Sequence, residues 1–163
     1  MTCTHRHSRA HGFTLIELVI TVTIVALLAS AAMPLAELTV KRTREHELQS
    51  ALRQIREGID AYKHAWYDKR IARNLNDTGY PKSLDQLVNG VTDITSPTNA
   101  QIYFLRRIPR DPTHPDSRVP AASTWGKRSY ASPPDSPSEG ADVFDVYSLS
   151  SDVALNGVPY REW

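Results

Sequence analysis

Between Leu18 and Met33 the chain carries no charge, and with Phe13–Ile16 and Leu35–Ala36 it forms one apolar run over residues 13–36. As a helix rising about 1.5 Å per residue, that run is about 36 Å long, enough to cross a hydrocarbon core of ~30 Å. This one feature constrains the fold more than any other, because so apolar a surface must be covered by lipid or by protein. Inside it, near its start, stands a single carboxylate, Glu17. A charge in lipid is costly, so Glu17 needs a partner or a job.

The residues before the run, MTCTHRHSRAHG, are polar and cationic through Arg6 and Arg9. A cleavable secretory signal is one reading, since Ala29-Ser30-Ala31 resembles the small-residue site such signals use. The apolar stretch is longer than the usual 7–15 residues of that class, and it contains Glu17.

Beyond Pro34 the helical pattern continues. Leu48, Ala51, Leu52, Ile55, Ile59, Tyr62 and Trp66 recur every three or four residues, one apolar stripe on a helix. Arg53, Gln54, Arg56, Glu57, Asp60 and Lys63 make the solvated face. Gly58 is the lone weak helix former, at a cost of about 1 kcal/mol. The pattern predicts a single helix from about Thr14 to Tyr67, with Pro34 removing one backbone donor and bending or loosening it.

After Asn74 the texture changes. Ser83 starts a short helix with Leu84, Leu87 and Val88 inward. IYFLRRIP reads as a brief strand ending at Pro109, residues 110–140 as Pro- and Ser-rich loop with short strands at best, and DVFDVYSLSS as a strand. If that last stretch is one regular strand, Asp142 and Asp145 lie on opposite faces. Trp163 is expected to tuck in. The fold class is therefore α+β, a long N-terminal helix packed on a small C-terminal antiparallel sheet.

Composition excludes several functions. Nineteen Lys and Arg against eighteen Asp and Glu give a net charge of +1, without the basic stripe of a nucleic-acid binder. Cys3 is the only cysteine and His5, His7 and His11 lie in the first dozen residues, so the body of the chain holds no thiolate metal site. No HExxH, GxSxG or GxxxxGK[ST] pattern occurs. An enzyme is not expected.

Gly12-Phe13-Thr14-Leu15-Ile16-Glu17, behind a short cationic leader and ahead of an apolar helix, resembles the class III signal of type IV pilins and pseudopilins. The resemblance implies that a prepilin peptidase cuts on the cytoplasmic side between Gly12 and Phe13 and methylates the new amine of Phe13. It implies that Glu17 meets the N-terminal amine of a neighbouring subunit during fibre assembly, and it places Pro34 at the twenty-second residue of the processed chain. At ~4 Å and an effective dielectric near 20, such a pair gains about 4 kcal/mol, much of it offset by desolvation. Cleavage would discard Cys3 and leave a cysteine-free chain.

The divisions that follow are a cleaved leader (1–12), a transmembrane and assembly helix (13–36), the soluble half of the long helix (37–74) and a periplasmic globular region (75–163). Lys41, Arg42 and Arg44 beyond the span outnumber Arg6 and Arg9, so the positive-inside rule favours the opposite orientation to the motif.

Phe104-Leu105, Ile108-Pro109, Asp111-Pro112, Trp125-Gly126, Tyr130 and Phe144–Leu149 resemble, in order, the major pseudopilin of type II secretion, with Trp-Gly displaced by THPDSRVPAAST. That likeness implies a homo-oligomeric fibre, other pseudopilins, prepilin peptidase, an inner-membrane assembly platform and membrane lipid as partners. It also implies calcium in the last loop. There the Leu149 carbonyl and Asp152 match two ligand positions, while ValAlaLeuAsnGly stands where further acids belong and only Glu162 remains nearby. The alternative for this loop is a turn capped by Asp152, followed by an Asn156-Gly157 hairpin. Rival functions are a type IV pilus major or minor pilin, and a signal-anchored periplasmic binding or enzyme domain.

Overall fold

A computed structural model of the chain describes residues 13–75 and 77–163, with the backbone alone of 31–34. The chain divides into two units at Val40/Lys41. Helix α1 (Leu15–Tyr67) begins in the first and continues as one helix through Pro34, so this proline ends no helix.

In the first unit, every described side chain from Phe13 to Val40 is exposed. Its hydroxyls are nevertheless satisfied. Thr21 Oγ1 donates to the Leu18 carbonyl at 2.9 Å, Thr23 Oγ1 to Val19 at 2.7 Å and Ser30 Oγ to Leu27 at 2.7 Å. Bonding back to the helix's own carbonyls is what an element bathed in hydrocarbon requires, because no water is there to substitute. α1 is long and apolar enough to cross a membrane, and none of its apolar window is buried by protein.

The second unit is built on the rest of α1. Leu48, Ala51, Leu52, Ile55, Ile59 and Tyr62 are all buried, as the stripe predicts, with Ala65 added and Trp66 half-buried. Against them lie Ile71, Leu84, Leu87, Trp125, Val143, Val146, Ala154 and Tyr160. Gly58 earns its place by close packing: a Cβ there would lie 2.9 Å from Leu105 Cγ.

The small sheet is two separate antiparallel ladders. β1 (Val91–Thr92) pairs with β2 (Gln101–Ile102), and β3 (Trp125–Arg128) with β4 (Asp145–Ser148), Gly126 facing Tyr147. The strand expected over IYFLRRIP is thus only its first residue, Ile102, joined to Gln101. From Phe104 the chain turns instead onto helix α2 (Asp85–Asn89), where Phe104 and Leu105 N–H both bond the Leu87 carbonyl, at 3.0 and 2.9 Å. α2 starts two residues later than Ser83, and α1 stops at Tyr67, so 68–74 is not helix. In β4, Val146 and Ser148 face inward and Asp145 and Tyr147 outward. Asp142 precedes this strand, so strand alternation does not govern it.

Three buried carboxylates tie the loops together. Asp111 accepts from Ser148 Oγ at 2.6 Å, Thr113 Oγ1 at 2.5 Å and Thr113 N–H at 2.7 Å. Asp142 accepts from Thr78 Oγ1, from Ser129 Oγ at 2.7 Å and from Tyr130 N–H at 2.9 Å. Burial alone would raise its pKa, but these donors outweigh it and hold Asp142 below the usual carboxylate range. Asp93 takes Arg70 Nη2 at 2.6 Å and Thr95 Oγ1 at 2.6 Å. In a body without disulfides, these hydroxyl and guanidinium contacts cross-link segments that the core alone does not pin.

Candidate functional site

The processing and assembly residues sit at the head of α1. Gly12 lies outside the described residues; Phe13 and Glu17 are both exposed. Thr14 fixes the start of the helix: its Oγ1 accepts Glu17 N–H at 3.3 Å and its carbonyl accepts Leu18 N–H at 3.1 Å. Thr14 is therefore the N-cap and Glu17 the third helical residue, the T-x-x-E spacing of a capping box. The signal was present in the sequence as Thr14-Leu15-Ile16-Glu17, but the resemblance assigned the glutamate only to assembly.

The placement has an electrostatic consequence. An acid in the first turn complements the partial positive charge at a helix N-terminus. A carboxylate on a helix that is otherwise uncharged to Met33 is also the strongest local attractor for a cation.

Among the described residues nothing buries the apolar run at the head of this helix. Leu15, Leu18, Val22, Val25 and Leu28 are each more than half exposed. Such an area cannot remain in water, and lipid or another helix must cover it.

The last loop is the second predicted site, and its residues do not fit the ion. Calcium takes six to eight oxygen ligands, several from carboxylates. Leu149 and Asp152 are both exposed, and among the described residues no group of three or more His, Cys, Asp or Glu could hold a metal. Asp152 does not cap the turn with its side chain either. Ser150 Oγ accepts Asp152 N–H at 3.2 Å, and the Asp152 carbonyl accepts Tyr160 N–H at 3.1 Å.

The Asn156-Gly157 hairpin is present. Val153 bridges Pro159, Ala154 N–H bonds the Val158 carbonyl at 2.9 Å, and Gly157 closes the turn at φ 84°. Asn156 Oδ1 accepts Val158 N–H at 3.0 Å. Glycine suits that positive φ because it has no Cβ to clash.

Two residues read as solvated face have structural tasks. Arg56 Nε pairs with Asp145 Oδ1 at 2.8 Å, and its Nη2 bonds the carbonyls of Val146 at 3.2 Å and Trp163 at 2.7 Å. Lys63 Nζ donates to the Thr78 carbonyl and lies 4.4 Å from the Tyr80 ring centroid. Both flank the apolar stripe, where long side chains reach over the core edge.

Comparison with known proteins bears on this geometry. A family described as the prokaryotic N-terminal methylation motif matches residues 7–33. The chain is similar to the type II secretion system core protein G of Klebsiella michiganensis, at 24% identity over 126 residues, covering 75% of this chain and 81% of that protein. No solved structure matches it.

Proposed function

We propose that this chain, a pseudopilin of the type IV pilin superfamily, is a G-type structural subunit of a type II secretion system. The observation that carries the reading is an exposed apolar helix headed by one carboxylate, its opening turns lying within the matched methylation motif. On this reading a prepilin peptidase cuts between Gly12 and Phe13 and methylates Phe13. The subunit waits in the inner membrane, N-terminus cytoplasmic and the unit from Lys41 onward periplasmic, its apolar helix covered by lipid.

Assembly exchanges lipid for copies of the same helix. Glu17 then receives the methylated amine of Phe13 from a neighbouring copy, and the pair is sheltered from solvent as the helices pack. Pro34, with no amide proton to give, is the point where the helix yields as it leaves the membrane. The fibre grows on an inner-membrane platform, alongside other pseudopilins, and drives folded proteins across the outer membrane. The subunit does no chemistry of its own. A type IV pilus subunit shares every N-terminal feature; the similarity to core protein G over most of both chains favours secretion.

Assembly tests this directly. Glu17→Ala should be cut and methylated normally yet form no sheared fibre, and Glu17→Asp should recover part of it. Normal fibre from Glu17→Ala would sink the assignment of Glu17.

A further inference from the structure

We infer that the C-terminal loop of this subunit is closed by Lys41 and Glu45 of α1, in place of a metal ion. This closure lies wholly within the unit Lys41–Trp163 and does not depend on how the chain is processed or assembled.

Lys41 and Glu45 are four residues apart in one helix and so share a face. Lys41 Nζ donates to the Val153 carbonyl at 2.7 Å. Glu45 Oε1 accepts Leu155 N–H at 2.8 Å and Tyr160 O–H at 3.0 Å. One cation and one anion of α1 thereby hold the first arm of the hairpin, its turn and the residue that follows it.

The arrangement supplies the loop with a cation and a carboxylate of its own, next to the predicted ligand Asp152. The loop already has a cation, the Lys41 ammonium, seated on one of its carbonyls. Glu45 is the carboxylate that reaches the loop from α1, and it is engaged by two donors from the loop itself. Asp152 and Glu162 are left as two exposed acids ten residues apart, far short of a calcium ligand set.

The closure is also backed by packing. Ala154 and Tyr160 are buried in the core, and Tyr160 meets Trp163 edge-on at 5.3 Å between ring centroids. Hydrogen bonds to a charged acceptor are stronger than neutral ones, so Glu45 matters more than the loop's internal bonds.

The test uses the full chain in detergent micelles, with calcium chloride or EDTA as the only additions. Thermal unfolding followed by tryptophan fluorescence should give the same Tm in millimolar calcium as in EDTA. A metal held only by the folded chain must raise Tm as its concentration rises. Hydrogen exchange of the peptide spanning Ser150–Trp163 should be equally unmoved by calcium and by Asp152→Asn. Glu45→Gln should speed that exchange about tenfold or more, because bonds to a charged acceptor are lost. Tyr160→Phe removes one hydroxyl and should give a smaller increase, which keeps the test informative if Glu45→Gln fails to fold. A Tm that rises with calcium or falls in EDTA, or calcium restoring slow exchange to Glu45→Gln, would overturn the inference. So would exchange in both Glu45→Gln and Tyr160→Phe that matches wild type.

Discussion

Gly126→Ala should destabilise the second unit through one contact, and Tyr147→Ala should relieve it. Gly126 and Tyr147 face each other across β3 and β4. A Cβ built on Gly126 would lie 2.3 Å from Tyr147 Cε2, 2.4 Å from Cζ and 2.8 Å from Cδ2. Carbon atoms prefer about 3.5–4.0 Å, so ring or strand must retreat by about 1 Å or more. Overpacking of this kind costs about 1–3 kcal/mol.

Tyr147→Ala alone uncovers the strand and should cost about 1 kcal/mol, since the ring is only half-buried. With the ring gone, alanine at 126 is free of the three nearest contacts and should gain about 0.5–1 kcal/mol over glycine in a strand. The two changes should therefore couple by about 2 kcal/mol, within the range seen for residues in contact. Guanidinium unfolding of the full chain in micelles, read by fluorescence of the buried Trp125, gives all four corners of the cycle. Equal costs for Gly126→Ala in both backgrounds would refute the steric account, and with it the observed register of β3 on β4.

Three further outcomes follow from the same structure. Ile55→Ala, at a fully buried site, should lower unfolding free energy by about 2–5 kcal/mol, measured by the same denaturation. Asp93 is held down to about 2 by Thr95 and Arg70, below its usual value; the stability it lends is full above pH 4 and lost as pH falls toward 2. Asp93→Asn should flatten that acid limb in a pH series of Tm values. Tyr160 is pushed up to about 12 by burial and by the Glu45 carboxylate, so the fold favours its neutral form. Its contribution should be intact below pH 10 and disappear as pH rises through 12, and Tyr160→Phe should remove that alkaline loss.

Much of the architecture was legible because helices advertise themselves locally. The stripe from Leu48 to Trp66 marks its own buried face, and the absence of charge from Leu18 to Met33 marks the exposed apolar one. Asn156-Gly157 announced its hairpin through turn chemistry alone. What was not legible depends on distant partners. Arg56 finds Asp145 across 89 residues, Lys41 finds Val153 across 112 and Glu45 finds Tyr160 across 115, and no local pattern encodes such pairings. The strands are shorter than the apolar runs suggest for a related reason: β1 and β2 have only two residues each. Apolar residues such as Phe104 and Leu105 are partly buried because they pack against the core, without belonging to a ladder. At the candidate site, Glu17 stands out as a lone carboxylate in an apolar run, and the Thr14 cap is equally local, written in the T-x-x-E spacing of Thr14–Glu17.

The central claim is that this chain enters the pilin pathway, and the intact mass of the protein co-expressed with a prepilin peptidase tests it most directly. The account predicts a mass equal to residues 13–163 plus one methyl group. A cut near Ala31, or an uncut chain, would contradict it.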